Sequence, residues 1–398
     1  MIRAALFVLL CAIAAASRAD VFAVSVESAV RRTTAGDDVA YDLYIPIAQE
    51  GAPQPPWPAV VLTHGFARSK SYHANNARYL AERGIITLTP NMISLLGGDS
   101  AQLRNIENTV DHVVWLRSRG ADPNDSLFGL VDGARIGLAG HSAGGAVSFE
   151  SAVECQGRPV PLAALCLLDA VPWDRTVTRA ASLRPLSFAS IRSEPSACNA
   201  NGSVVGLIDS VTFPADDIRI VGATHCDPEN PTDWQCTLFC GGTSSQRRAI
   251  YQRLLYLFFQ DAFKLRSVEP SPTTFWDALL QYEDAGSIFL APKPARAVAS
   301  ISSAKSLPDE CRVRITGVVV SAGSDAFSQQ VYIAGPGEPS GLQVRCTGSA
   351  QCDWRDGDLV DAEGVLRTLD GERVLVYASV SNAQFSSSSA PHAAPKDP

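Results

Sequence analysis

Short apolar runs alternate with longer amphipathic segments over roughly the first 266 residues. Apart from the first run, which alternates apolar and polar residues as an outer strand would, the runs are continuously apolar, which is typical of parallel strands covered on both faces. The predicted strands are Val39–Ile47, Ala59–Phe66, Ile85–Asn91, Ala134–Gly140, Pro161–Val171, Arg184–Arg192 and Asp216–Thr224, and the predicted helices are Ser71–Gly84, Ser100–Gly120, Ala143–Glu154 and Ser244–Phe263. This alternation predicts an α/β fold with a doubly wound, mostly parallel sheet.

From about residue 300 the pattern changes to short strands separated by glycine-containing turns, with no helical segment between them. The five predicted strand regions are Cys311–Gly323, Gln329–Gly335, Gly341–Gly348, Gly357–Gly371 and Glu372–Val380. Five short strands in this arrangement predict a small C-terminal all-β barrel of OB-like type.

These patterns divide the chain into an α/β domain at 20–266, a proline-rich connecting region at 267–299, the β-barrel at 300–382 and a disordered tail at 383–398. Residues 1–19 have the pattern of a signal peptide: Arg3 precedes the apolar stretch Ala4–Ala16, and Ser17-Arg18-Ala19 offers small residues at a cleavage site. We therefore expect a secreted or periplasmic protein.

Charge and hydropathy narrow the range of partners. The net charge of −8 argues against nucleic-acid binding, which needs a basic face. No segment after residue 19 has the length and hydropathy of a transmembrane helix. The sequence leaves the oligomeric state open.

The cysteines favour disulfides over a metal site. Removal of the signal peptide leaves nine of the ten cysteines, so at least one thiol stays free, and we expect it to be Cys166 within the apolar run LAALCLLD. Cys346 and Cys352 flank a short turn and are candidate partners, whereas Cys311 has no evident partner. Because no C-x-x-C pair occurs, we predict no metal, and nothing indicates a cofactor.

The segment GHSAGG places Ser142 between two glycines, after a predicted strand and before a predicted helix. G-x-S-x-G in this context is typical of a nucleophile elbow, in which a sharp turn exposes the serine hydroxyl above the sheet. A serine needs a general base. Of the six histidines, His225 lies just past the last core strand, where a hydrolase places its base.

The triad acid should lie between the serine and the histidine in the chain. Asp169 ends a wholly apolar strand, where a carboxylate needs a partner, and is the preferred candidate. Glu194, after the next strand, is the main alternative. The further alternatives are Asp174, Asp216 and Asp217.

An acyl-transfer site also needs an oxyanion hole. We expect one donor to be the backbone N–H of Ala143, directly after the nucleophile. The other is expected from the loop after Ala59–Phe66, from the N–H of Phe66 with that of Ala67 as an alternative.

The segments VVLTHGFARS, GHSAGG, LLDAVPWD and GATHCD, in this order, resemble the α/β-hydrolase branch that contains platelet-activating-factor acetylhydrolases, chlorophyllases and cutinase-type polyester hydrolases. In the first two groups the acid follows the strand after the elbow, as Asp169 does, whereas the polyester hydrolases have it one strand later, where this chain has Glu194. The resemblance also implies that Phe66 and Trp173 flank the acyl group of the substrate.

Cys226 follows His225 directly, and Cys198 lies after the preceding strand. A bridge between them would tether the loop that carries the base, and the polyester hydrolases have a similar one. Cys236 and Cys240 are alternative partners.

The resulting hypothesis is a secreted, lipase-like carboxylic ester hydrolase (EC 3.1.1 type) that acts through a Ser-His-Asp triad on a lipid-like or bulky ester, small or polymeric. Little sequence separates the strands after the elbow, so we expect an open cleft without a large lid. The alternatives are a polyester or cutin hydrolase with Glu194 as the acid, a peptidase or amidase, and a non-catalytic exported binding protein.

Overall fold

The computed structural model describes residues 22–49, 53–93, 99–266, 273–290, 296–307, 312–323, 327, 330–338, 340–346, 353–369 and 371–383. The predicted signal peptide, the tail from 384 onward, Cys311 and Cys352 lie outside these residues. Among the described helices, none combines the length and the apolar character needed to cross a bilayer.

A nine-stranded mixed sheet forms the larger part of the described structure, with the strand order β1-β2-β4-β3-β5-β6-β7-β8-β9. Strands β3 to β8 run parallel, whereas β1, β2 and β9 are antiparallel to their neighbours. The strands are β1 (Ala23–Arg32), β2 (Asp38–Ile47), β3 (Trp57–Thr63), β4 (Ile86–Pro90), β5 (Val131–His141), β6 (Ala164–Leu168), β7 (Ser187–Arg192), β8 (Asp216–Ile220) and β9 (Ile288–Leu290).

Helices cover both faces of this sheet, which explains why β3, β4 and β6 are buried along their whole length. One apolar cluster joins the sheet to α2, α3 and α5, and a second joins it to α1, α7 and α8. The helices are α1 (Ala74–Ala81), α2 (Asp99–Ala121), α3 (Ala143–Gly157), α4 (Asp174–Thr178), α5 (Val204–Ser210), α6 (Trp234–Cys240), α7 (Ser245–Ala262) and α8 (Phe275–Asp284).

Residues 273–290, which the sequence suggested to be part of a connection, pack on the large sheet. Helix α8 begins with a capping box in which Thr274 and Asp277 bond each other's backbone N–H, and Phe275 packs edge-on against Phe258 of α7 at 5.6 Å. Strand β9 then pairs with β8. The surrounding prolines obscured this helix and strand in the sequence pattern.

The C-terminal region forms a second, all-strand sheet. It contains β10 (Arg296–Val298), β11 (Arg312–Ala322), β12 (Gln330–Ala334), β13 (Leu342–Cys346), β14 (Leu359–Leu369) and β15 (Glu372–Asn382), with α9 (Ile301–Lys305) between β10 and β11. The pairing order is β10-β11-β12-β13-β15-β14, and β14 pairs with β11 as well. The prediction of an α/β fold followed by a C-terminal β region is confirmed at this level.

The register of the parallel strands aligns their carboxyl ends. Thr63 of β3 is level with Gly140 of β5, and His141 is level with Leu168 of β6, which is in turn level with Ile191 of β7. The residues that follow these strands therefore meet at one edge of the sheet, where open α/β sheets bind their ligands.

Candidate active site

Ser142 occupies a sharp turn between β5 and α3. Its φ of 56° and ψ of −124° lie in a region that non-glycine residues rarely adopt. A Cβ at Gly140 would lie 2.2 Å from the carbonyl oxygen of Gly144, and a Cβ at Gly144 would lie 2.3 Å from that of His64. Both glycines are therefore required by the close approach of strand and helix at this turn.

His225 joins the serine to a carboxylate. Its Nε2 lies 2.9 Å from Ser142 Oγ, and its Nδ1 lies 2.6 Å from Asp169 Oδ2. Because an ionised carboxylate only accepts hydrogen bonds, Nδ1 carries the hydrogen, which leaves Nε2 as the acceptor for the serine hydroxyl. This is the tautomer that can remove a proton from Ser142.

Asp169 is fully buried directly after β6. The Ser193 N–H donates to Oδ1 at 2.9 Å, the Ser193 hydroxyl donates to Oδ2 at 2.7 Å, and Asn199 Nδ2 lies 3.2 Å from Oδ1. Burial alone would raise the pKa of Asp169, but the hydrogen bonds from His225 and Ser193 outweigh it and hold this pKa below its usual value. The carboxylate is thus kept ionised beside the imidazole.

The other carboxylates considered from the sequence have different surroundings. Glu194 accepts a hydrogen bond from Arg219 at 2.8 Å and one from the Gly222 N–H at 3.1 Å.

Asp217 pairs with Arg192 at 2.7 Å. Asp216 lies in β8 and Asp174 begins α4. Of these five described carboxylates, Asp169 is the one that is hydrogen-bonded to His225.

Phe66 and Ala143 border the serine. A pocket of about 460 Å³ is lined by Gly65–Arg68, Ser142, His225 and residues of α6, and Phe66 is half exposed within it. Ala143 is the first residue of α3, so its N–H has no partner within the helix. Ala67, the alternative donor, has a φ of 56° in a turn closed by the Arg68 N–H to the Gly65 carbonyl.

Trp173 is not brought into this pocket. It lines a separate cavity with Leu103 and Ile106 of α2. Trp173 lies just before α4, and its role beside the acyl group together with Phe66 stays a prediction.

A buried polar network behind His225 was not anticipated from the sequence. Arg68 donates to both carboxylate oxygens of Glu229 at 2.7 and 2.6 Å and to Asp233 at 3.0 Å. Burial is the largest cause that lowers the pKa of His141 to about 3, so this ring is neutral, and its Nε2 lies 2.9 Å from the His225 carbonyl oxygen. The network therefore fixes the backbone of the loop that carries His225.

The disulfides differ from the expected Cys198–Cys226 bridge. Cys198 pairs with Cys240, and Cys226 pairs with Cys236. Both alternative partners belong to α6, which places the Cα of Cys240 5.7 Å from that of Cys198 and the Cα of Cys236 5.9 Å from that of Cys226. Cys166 is buried and free as predicted, and Cys155 is free as well.

A metal site at these cysteines is not supported. The sulfur atoms of Cys226, Cys236 and Cys240 lie within 4.8 Å of one another, but all three are in disulfides, which leaves no thiolate to ligate an ion.

Two comparisons with known proteins each cover a part of the chain. The chlorophyllase family model matches residues 35–187, which include Ser142 and Asp169 and end before His225. A Bacillus subtilis (strain 168) protein named "Putative esterase YitV" is 34% identical over an alignment of 95 residues, which covers 22% of this chain. The chain spans 36% of the length of that relative.

Proposed function

We propose that this chain, as a member of an α/β-hydrolase-type esterase family, is a carboxylic ester hydrolase. In this proposal Ser142 is the nucleophile, His225 is the general base, and Asp169 is the acid that orients His225. The observation that carries the proposal is the continuous hydrogen-bonded chain from Ser142 Oγ through both ring nitrogens of His225 to the buried Asp169. A surface histidine or a helix-capping serine would not need this second, buried partner.

In the proposed reaction, His225 Nε2 takes the proton of Ser142 while Oγ attacks the ester carbonyl carbon. The N–H groups of Phe66 and Ala143 stabilise the resulting oxyanion. The tetrahedral intermediate collapses when His225 gives its proton to the leaving alcohol, which produces an acyl-enzyme. A water molecule, deprotonated by His225, then attacks the acyl carbon, and the proton returns to Ser142 as the acid leaves.

The family match and the named relative favour an ester over an amide substrate, and the buried triad partners favour an enzyme over a binding protein. The polyester alternative placed the acid at Glu194, whose carboxylate is instead bonded to Arg219. The pocket of about 460 Å³ and the half-exposed Phe66 in its lining fit a lipid-like or otherwise bulky acyl ester.

The C-terminal strands fit an OB-like barrel as the second domain. The proposed closure follows from the pairing β11-β12-β13-β15-β14 together with the return pairing of β14 with β11. We assign it an accessory role beside a catalytic domain that extends to β9. Two disulfides fit export to an oxidising compartment.

The test is the Ser142→Ala variant, assayed on nitrophenyl esters and on the matching anilides. We expect its ester hydrolysis to fall at least about a thousandfold with an unchanged melting temperature, because little packing is lost. Wild-type protein should cleave the esters much faster than the anilides. Higher residual activity would point to another nucleophile, and preferred anilide cleavage would point to an amidase.

A further inference from the structure

Helix α6 presents large apolar side chains to solvent beside the candidate active site. Trp234, Leu238 and Phe239 are 69%, 66% and 78% exposed. We define these three residues as the α6 platform. None of the seven residues of α6 is buried, so the helix adds no hydrophobic core that would hold it in place.

Two disulfides hold the helix instead. Cys236, in its first turn, is bonded to Cys226 beside the proposed base, and Cys240, at its end, is bonded to Cys198. Asp233 caps its start by accepting the Cys236 N–H at 2.9 Å and is itself bonded to Arg68. The fold therefore fixes an exposed apolar helix covalently, which is costly in solubility unless the surface binds something.

The α6 platform is continuous with the pocket that contains Ser142. Phe239 and Cys240 line that pocket together with Phe66. Trp234 and Leu238 are four positions apart and so share the neighbouring face of the helix. An apolar chain that leaves the pocket past Phe239 would therefore meet this face next.

The charge of the molecule restricts the kind of surface that fits. The chain carries a net charge of −8, and the two carboxylates that precede α6, Glu229 and Asp233, share the single guanidinium of Arg68. An anionic surface would be repelled. Tryptophan, with an apolar ring and a polar N–H, suits the boundary between water and a lipid phase.

We propose that the α6 platform docks the enzyme on an uncharged or zwitterionic lipid assembly and so delivers acyl esters from that assembly to Ser142. The proposal rests on the proposed ester hydrolase function and specifies how its substrate is presented. Because the disulfides fix α6, the platform acts as a permanently exposed docking surface and not as a lid that opens.

The binding test uses the Ser142→Ala protein, so that hydrolysis does not alter the membranes. Flotation with phosphatidylcholine vesicles should recover this protein, whereas anionic phosphatidylglycerol vesicles should recover less of it. Adding Trp234→Ser and Leu238→Ser should weaken partitioning about tenfold for each side chain. The conservative pair Trp234→Phe and Leu238→Met should retain it, which separates loss of apolar surface from misfolding.

A matched control is Phe128→Ser. Phe128 is 54% exposed but lies before β5, at the opposite end of that strand from Ser142, so this change should leave partitioning intact. In the active protein, which keeps Ser142, Trp234→Ser and Leu238→Ser should also lower the rate of hydrolysis of a micellar long-chain ester relative to the rate with a monomeric short-chain ester.

Equal partitioning of the double serine variant and its parent would overturn the proposal. So would a parent dimer that dissociates when these serines are introduced, because the platform would then be an interface between two copies. Stronger binding to phosphatidylglycerol would contradict the charge argument. An active Ser142→Ala enzyme would refute the proposed function while leaving the partitioning result interpretable.

Discussion

Ser142 and Asp169 both have positive φ angles, 56° and 43°, directly after neighbouring strands of the sheet. Strain of this kind persists only where the surroundings impose it, and it concentrates at functional sites. At Ser142 the close contact of β5 with α3 imposes it, and the carboxylate of Asp169 is held by four donors, from Ser193 N–H and Oγ, Asn199 Nδ2 and His225 Nδ1. The two side chains then face the same imidazole.

The identity of the triad acid can be tested by comparing substitutions of Asp169 and Glu194. Asp169→Asn should slow acyl transfer by up to about ten-thousand-fold, because an amide can hold His225 in the wrong tautomer. Glu194→Gln should cost about tenfold or less, since Glu194 contacts Arg219 and the Gly222 N–H. Both should be assayed on one soluble ester, with circular dichroism to confirm folding. If Glu194→Gln were the variant with the large loss of activity, the triad acid would be Glu194, after the next strand, and not Asp169.

The sequence indicates the proposed triad but not its supporting residues. Ser142, Asp169 and His225 follow apolar strands in a recognisable order, so pattern alone suggests them. Ser193 and Asn199 reach Asp169 only because β7 lies beside β6, and this depends on the sheet order. A single sequence does not specify that order.

Among the elements, long apolar runs could be predicted, and elements without such runs could not. Strand β3 and helix α7 carry strong periodic signals and were predicted near their observed bounds. Helix α6 has no buried face, so it leaves no amphipathic pattern to recognise. The disulfide pairing depended on this helix and was therefore predicted wrongly.

Removal of one disulfide should mainly lower the free energy of unfolding, whereas removal of the other should mainly lower kcat. The loop closed by Cys198–Cys240 spans 42 residues and that closed by Cys226–Cys236 spans 10. Replacing both cysteines of the longer loop by serine should lower the unfolding free energy more, within about 2 to 4 kcal/mol for each bridge. Replacing Cys226 and Cys236 should lower kcat more, because Cys226 adjoins His225.

The readouts are urea denaturation and steady-state kinetics of the two double variants, with a peptide map of the unreduced protein to confirm the bridges. The same ranking of the variants in both measurements would contradict a specific role of Cys226–Cys236 at the base.

At the scale of the whole molecule, the two sheets share apolar and ionic contacts. Val374 and Val376 of β15 belong to the cluster that includes α7 and α8, and Arg367 donates to Asp261 at 3.0 Å. The pattern of apolar runs predicted a change from α/β to all-β structure near residue 300. The packing of the two sheets against each other leaves no local pattern in the sequence.

Buried histidines predict how stability changes with pH. Burial is the largest cause that lowers the pKa of His64 to about 4 and those of His73, His112 and His141 to about 3. Between these values and 6.5 the unfolded chain binds protons that the folded protein does not, so stability falls as the pH drops through this range. We expect a loss of about 1 to 2 kcal/mol per histidine at pH 5 relative to pH 7.5.

Urea denaturation at these two pH values measures the loss. His112→Gln removes one of the titrating groups and should reduce the difference between the two pH values. An unfolding midpoint that does not depend on pH would show that these histidines are not buried as neutral rings.

The role of Ser142 as nucleophile is tested most directly by covalent labelling with a fluorophosphonate, which reacts with serines activated by a general base. We expect one adduct, located by peptide mass spectrometry on Ser142, and complete loss of ester hydrolysis once it has formed. Labelling of a different residue, or continued hydrolysis by the fully labelled protein, would show that Ser142 is not the nucleophile.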